Sequence, residues 1–105
     1  MSTTSQPGTA YALDVKPTAD GIFARLSRRD PELLRKVHLK IWQIRKNPHH
    51  TYKFLKGPIS GFNRVHIDTH FVLIFRIDHA AAVVDIHYFD HHDRVYAWRP
   101  DSNAY

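Results

Sequence analysis

Apolar residues recur along this chain with two different periods, and the change between them predicts the order of its elements. Residues 11–16 alternate apolar and polar positions, which is typical of a short strand. From residue 17 to residue 46 the apolar positions recur every three or four residues, as in helices that bury one face. Residues 49–63 are predicted to form a loop. Alternating segments at 64–68, 70–77 and 82–89 then predict three further strands.

Two helices are predicted in the helical stretch, because a strong start signal divides it. Asp30 can accept a hydrogen bond as an N-cap, and Pro31 suits a first helical turn. Asn47 and Pro48 end the second helix. The buried stripes expected on the two helices are Ala19, Ile22, Phe23 and Leu26 on the first, and Leu34, Val37, Ile41 and Ile44 on the second.

This order predicts an α+β domain over residues 11–98. An N-terminal strand, an antiparallel helical hairpin and a three-stranded antiparallel meander would form one sheet, with the helices on one face. Residues 1–10 are predicted to form a disordered N-terminal tail, and residues 99–105 are predicted to form a flexible C-terminal tail.

Alternation along the predicted strands assigns side chains to the two faces of the sheet. Val65 and Ile67 are expected toward the helices, which leaves Arg64 and His66 on the outward face. In the second strand Phe71, Leu73, Phe75 and Ile77 are expected opposite His70, Val72, Ile74 and Arg76. In the third strand Val84, Ile86 and Tyr88 are expected opposite Val83, Asp85, His87 and Phe89.

Composition adds a strong charge asymmetry to this picture. The 105 residues hold 15 Lys and Arg against 10 Asp and Glu, and no cysteine, so disulfides and thiolate metal sites are excluded. Ten of the Lys and Arg lie between residues 25 and 56, while residues 78–93 hold four Asp and no Lys or Arg. The basic half favours phosphates or an acidic protein partner. Without a recognisable secretory signal or membrane span, a cytoplasmic protein is expected.

The run DHHDRVY, from residue 90 to residue 96, concentrates ionisable groups after the last predicted strand. Because consecutive antiparallel strands are usually neighbours, this run should meet Arg64 and His66 on the outward face. The expected surface carries Arg64, His66, His92, Arg94 and Tyr96. Metal-free RNA cleavage needs a base, an acid and cations beside the scissile phosphate, and these side chains can supply all three.

Simpler roles remain open for the same side chains. The alternatives are a metal site of His91 and His92 with Asp90 or Asp93, an ion pair from Arg64 to Asp68 or Asp85, and packing of Tyr96 against the sheet. A metal is not expected, since no separated second group of ligands is evident.

Three segments in this order resemble the RelE/ParE family of toxins from type II toxin–antitoxin systems. They are Leu55-Lys56-Gly57 with the block SGFNRVHI at 60–67, the apolar strand FVLIFRI at 71–77, and FDHHDRVY at 89–96. No single motif is specific, and their combination carries the resemblance, which covers about residues 11–98.

A RelE-type resemblance implies a ribosome-dependent endoribonuclease that cuts mRNA by 2′-hydroxyl attack, with no metal or other cofactor. The residues that it implies are Arg64, His66, His92 and Tyr96 for catalysis, and Lys53, Lys56, Arg76, His91 and Arg94 for contacts with RNA or the ribosome. One departure is Val72, which stands where RelE-type toxins commonly have an arginine.

The family resemblance also implies a partner, because these toxins are held by an antitoxin whose C-terminal segment wraps them. An acidic or amphipathic segment should bind the basic region at Arg35, Lys36 and Lys40, giving a toxin–antitoxin hetero-oligomer. Two other interpretations stay open. A ParE-like member would inhibit DNA gyrase, and a third possibility is a binding module with the toxin fold but without catalysis.

Overall fold

A computed structural model describes residues 9–100, and one mixed five-stranded sheet organises them. The elements follow the predicted order: β1 (Ala12–Val15), α1 (Pro17–Arg29), α2 (Pro31–Lys46), β2 (Lys53–Phe54), β3 (Asn63–Ile67), β4 (Phe71–Asp78), β5 (Val83–His91) and the short helix α3 (His92–Val95). Most of the two predicted tails lies outside the described residues.

The strands lie side by side in the order β1-β5-β4-β3-β2. β1 is parallel to β5, and every other neighbouring pair is antiparallel. β2 lies in the segment predicted to be a loop. It has only two residues at the edge of the sheet, so it is too short to produce an alternating pattern.

The helices begin and end where the sequence predicted. Asp30 caps α2 by accepting the backbone N–H of Leu33 at 3.1 Å. The predicted stripe is wrong in its first member, because Leu33 is 5% exposed whereas Leu34 is only partly buried. Leu33 lies four residues before Val37, one turn along the same face. None of the described helices is long and apolar enough to cross a membrane.

Apolar side chains cover both faces of the sheet. The helices bury one face, where Leu73 and Phe75 of β4 are fully buried. The opposite face carries a second cluster, called here the outer layer, whose members are Leu55, Ile59, Phe62, Val72, Ile74 and Val95, with Tyr88 and Trp98 partly buried against them. The predicted division of β4 into two apolar faces is therefore confirmed.

β5 contains a β-bulge at His87. Ile86 and Tyr88 each have a partner in β4, whereas His87 between them has none. The extra residue shifts the alternation by one position. Phe89 consequently joins Ile86 on the helical face and Tyr88 joins the outer layer, so the faces predicted for Tyr88 and Phe89 are wrong.

The bulge residue should make the stability of the domain depend on pH. Burial, followed by the charges of Lys16 and Arg76, lowers the pKa of His87 to about 4, and Asp14 opposes the shift. Between that value and about 6.5, the unfolded chain binds a proton that the folded protein does not. Stability therefore falls as the pH falls through this window, and it is fully present above it.

We expect the free energy of unfolding to fall by about 1–2 kcal/mol more in the wild type than in His87→Gln between about pH 7 and pH 4.5, allowing for solvent screening of a half-buried ring. Urea unfolding of both proteins at both pH values measures the difference. Parallel losses in the two proteins would show that His87 does not carry the effect.

Candidate nucleic-acid site

β3 presents two of the predicted site residues together. Arg64 and His66 lie on the face opposite the helices, and Nη1 of Arg64 is 3.4 Å from Nδ1 of His66. Since a guanidinium can only donate, Nδ1 of His66 is the acceptor in this contact. Lys53 of β2 is the register partner of Arg64, so their side chains share a face.

The surroundings of His66 favour its neutral form. Its pKa is lowered, first by burial and then by the positive charges of Arg64, His92 and Lys53. The strand register places His66 opposite Val72 and Val72 opposite Asp90, so His92 lies two residues beyond the position of β5 that is level with His66. The structure therefore brings together the two basic residues of β3 and the histidine that follows β5.

The ion pairs considered for Arg64 are wrong within the described part of the chain. Asp68 instead binds Nζ of Lys36 at 3.0 Å, and Asp85 lies 3.9 Å from Nζ of Lys16. The guanidinium of Arg64 thus has no carboxylate partner among the described residues and is directed to His66 and the adjoining cavities.

α3 and the residues after it reach the site because two side chains, Val95 and Trp98, anchor them. Val95 is fully buried in the outer layer. Trp98 stacks on Tyr88 with ring centroids 5.7 Å apart and meets the edge of Phe62 at 5.2 Å. Tyr96 lies between these two anchors and remains 42% exposed.

An open cavity of about 440 Å³ lies between the β2–β3 connection and the segment after α3. Its polar lining includes Lys56, Arg64, Arg99 and Tyr96, beside the exposed ring of Phe54. A second cavity of about 380 Å³ is lined by Lys53, Arg64 and His66 among others. Arg64 borders both cavities, and the cationic groups around them suit a phosphate flanked by an aromatic surface.

His92 is held between two acceptors. Its Nδ1 lies 3.2 Å from the backbone oxygen of His70, and its Nε2 lies 3.2 Å from Oδ1 of Asp93. One ring nitrogen from each of His70, His91 and His92 lies within 4.8 Å of the other two. Among the described residues, this is the group whose ligand atoms are close enough to hold a metal ion. Asp90 is committed elsewhere, because it accepts from Tyr88 and Arg94.

Some predicted residues lie outside the cavities. The guanidinium of Arg76 stacks over the ring of Phe62 at 5.1 Å, and Arg94 pairs with Asp90 at 3.2 Å. Val72, the departure from the RelE-type pattern, is fully buried beside His66 in the register of β3 and β4.

Arg99 and Phe54 were missed by sequence reasoning. Nη1 of Arg99 donates to the backbone oxygens of Tyr96 at 3.0 Å and Trp98 at 2.7 Å, which holds its guanidinium beside the cavity. It falls in the segment predicted as a flexible tail. Phe54 had a usable signal, since KFLK at 53–56 interleaves basic and apolar residues.

The residues predicted to bind an antitoxin lie along α2, and two of them already have partners. Arg35 pairs with Glu32 at 2.6 Å and Lys36 with Asp68. Lys40 instead lines a shallow groove of about 300 Å³ between α2 and β3. Leu39 and Trp42 are 48% and 46% exposed on the same helix, which adds an apolar surface that sequence reasoning did not single out.

Comparison with known proteins identifies the family. No family model matches the chain. It is 43% identical over 86 residues to "Putative toxin RelE4" of Methanocaldococcus jannaschii, which covers 82% of this chain and 90% of the relative.

Solved structures share the fold. A chain of the RelBE2 toxin–antitoxin complex from Mycobacterium tuberculosis matches with a TM-score of 0.67 and 22% identity, over 80% of this chain and 93% of that one. The YoeB/ParE toxin from Agrobacterium tumefaciens matches with a TM-score of 0.68 and 15% identity, over 77% and 98%. These matches confirm the predicted α+β architecture. Given its identity to RelE4 over most of both chains, this protein belongs to the RelE/ParE family of toxins from type II toxin–antitoxin systems.

Proposed function

We propose that this toxin is a ribosome-dependent endoribonuclease that cuts mRNA without a metal, by attack of a 2′-hydroxyl on the adjacent phosphate. The observation that carries the proposal is the contact between Arg64 and His66, beside His92 and a cavity ringed by cations. One small surface thus supplies a proton acceptor, a proton donor and positive charge, which are the groups that this reaction requires.

His66 is the proposed general base. With its pKa below the ordinary histidine value, the ring is neutral at physiological pH and can accept a proton. Its Nδ1 receives a hydrogen bond from Arg64 in the free protein. When Arg64 turns to the scissile phosphate, Nδ1 becomes available to take the proton of the 2′-hydroxyl.

His92 is the proposed general acid. Both of its ring nitrogens face acceptors, the backbone oxygen of His70 and the carboxylate of Asp93, and a ring between two acceptors is arranged as a proton donor. A bond forms between the 2′-oxygen and phosphorus, and the bond from phosphorus to the 5′-oxygen breaks as His92 protonates the leaving oxygen. The products are a 2′,3′-cyclic phosphate and a 5′-hydroxyl.

The cavity supplies binding and charge stabilisation. Arg64, Lys56 and Arg99 can neutralise phosphates on either side of the cut, while Phe54 and Tyr96 offer rings on which bases can stack. The remaining residues assigned to contacts with RNA or the ribosome, toward the margins of this surface, are Lys53, Arg76, His91 and Arg94.

The antitoxin is proposed to bind along α2. Lys40 has no ion pair among the described residues and lies beside a groove, and the exposed Leu39 and Trp42 offer apolar contacts to an amphipathic helix. Arg35 and Lys36 would contribute less, since their charges already face Glu32 and Asp68.

Replacement of the proposed acid or base should abolish cleavage. In a purified translation system with primer extension on the mRNA, we expect His66→Ala and His92→Ala each to lower the cleavage rate by about 10²–10⁴-fold. Tyr96→Phe should also lower the cleavage rate, because it keeps the ring but removes the hydroxyl assigned to catalysis at the cavity that Arg64 lines. His38→Ala is the matched control, because His38 is an exposed residue of α2, away from these cavities.

A fully active triple variant at 66, 92 and 96 would overturn the assignment. Intact mRNA with normal translation would instead favour gyrase inhibition, to be tested in a supercoiling assay. Intact mRNA with blocked translation would point to a non-cleaving inhibitor.

The acid limb of the pH profile should report His66. Because the pKa of His66 is lowered, single-turnover cleavage should lose activity as the pH falls below the ordinary histidine value. Lys53→Met removes one of the charges that lower this pKa, so its acid limb should move to higher pH. An acid limb that does not move would contradict the role of His66 as base.

Antitoxin binding should depend more on Lys40 than on Arg35, because Arg35 already pairs with Glu32. We expect Lys40→Glu and Trp42→Ala each to weaken the complex by about tenfold or more, whereas Arg35→Ala changes it little. Titration calorimetry at low and high salt measures these affinities. Equal effects of Arg35→Ala and Lys40→Glu, or binding that ignores salt, would place the antitoxin on another surface.

A further inference from the structure

Three histidines converge where β4 begins and β5 ends. His70 directly precedes β4, His91 is the last residue of β5, and His92 is the first residue of α3. We infer that these three imidazoles form a binding site for a divalent transition-metal ion, with Zn²⁺ as the ion whose ligand preferences they fit best.

The backbone fixes the three positions relative to one another. The register of β4 and β5 pairs Phe71 with His91, next to His70. The backbone N–H of His92 donates to the backbone oxygen of His70 at 2.7 Å. Two neighbouring strands and the hydrogen bond beyond them thus hold all three residues, so an ion would not have to order a loose segment in order to bind.

The ring nitrogens are close to the spacing that a metal needs. One nitrogen from each ring lies within 4.8 Å of the others, whereas a tetrahedral ion with ligands at about 2.1 Å requires about 3.4 Å between them. The ring centroids are 4.7 Å apart for His91 and His92, and 5.6 and 6.0 Å for the pairs with His70. Because His70 is exposed and the side chain of His92 is 43% exposed, small rotations can bring the nitrogens inward.

The donor set selects the kind of ion. Imidazoles suit Zn²⁺, Cu²⁺ and Ni²⁺, whereas Mg²⁺ and Ca²⁺ prefer oxygen ligands. Asp93 adds a carboxylate beside two of the rings, with Oδ1 at 3.2 Å from Nε2 of His92 and Oδ2 at 3.4 Å from Nδ1 of His91. The negative charge of Asp93 would partly compensate a cation at this point, and its Oδ1, which contacts His92, would lie next to the ion.

The chain contains a natural comparison in another pair of histidines. His49 and His79 stack with centroids 4.9 Å apart, and Tyr11 completes that group with a hydroxyl 3.1 Å from Nδ1 of His79. That group offers two imidazoles, and no carboxylate within residues 9–100 pairs with it, so it should bind the same ions far more weakly.

Metal binding has a consequence for activity that rests on the proposed function. An ion on His92 takes the place of the proton that the ring would give to the leaving 5′-oxygen. Zn²⁺ would therefore switch off RNA cleavage while leaving the fold intact, and it would do so only through the three-histidine site.

The first test is direct binding to the full-length, untagged and metal-free protein. Titration calorimetry with ZnCl₂ should show one site. His70→Ala should raise the dissociation constant for Zn²⁺ by more than about tenfold, since replacing a residue that only hydrogen-bonds to a metal ligand already lowers the affinity by that factor. His79→Ala should leave it unchanged. Nitrogen chemical shifts of the imidazoles should move on Zn²⁺ addition for His70, His91 and His92. Unchanged affinity in His70→Ala, the absence of binding, or loss of binding in His79→Ala would overturn the site.

The second test separates this inference from the proposed nuclease. Zn²⁺ should inhibit cleavage by the wild type at concentrations that fill the site, and His70→Ala should be resistant over the same range, because it removes one ligand but keeps the backbone oxygen that contacts His92. The inhibition of each protein is measured relative to its own rate without metal, since the ring of His70 also stacks on that of His92. Equal inhibition of both proteins would overturn the link to activity. A wild type that never cleaves mRNA would refute the nuclease, while the calorimetry would still decide the metal site.

Discussion

Burial of the outer layer is the constraint on which the candidate site depends. If the outward face of the sheet were polar and exposed to solvent, the C-terminal segment could not pack against it. Val72 and Ile74 make the outward face of β4 apolar. Val95 is buried there, and Trp98 packs against the same cluster. Tyr96 and Arg99 are consequently held beside Arg64 rather than free in solvent. The position of the functional groups is therefore a result of hydrophobic packing, and polar contacts only adjust it.

Much of this arrangement could be predicted from the sequence, because local signals coincide with the final structure. Asp30 and Pro31 mark the boundary between the helices, and the alternation around Arg64 and His66 gives the correct outward face. The resemblance of three segments, in the order in which they occur, was sufficient to predict the family. These are features in which propensity, pattern and tertiary packing agree.

Other features needed three-dimensional information. The bulge at His87 inserts one residue without any local marker such as glycine, so period-two reasoning assigns Tyr88 and Phe89 to the wrong faces. Arg99 looks like part of a tail in sequence, and only the packing of Val95 and Trp98 on the outer layer brings its segment to the cavity. His70 lies more than twenty residues from His91 and His92, and only the strand register places them together.

The parallel pairing of β1 with β5 has a consequence for how the toxin is made. Ala12 is aligned with Val83, so the first strand has no partner until β5 has been synthesised. Contacts between segments so distant in sequence slow folding, since a long loop must close before they form. The pairing of β1 with β5 is thus a late step in the folding of the newly synthesised chain. The antiparallel pairs of β3, β4 and β5 join segments that are neighbours in sequence, so they can form before β1 is added to the sheet.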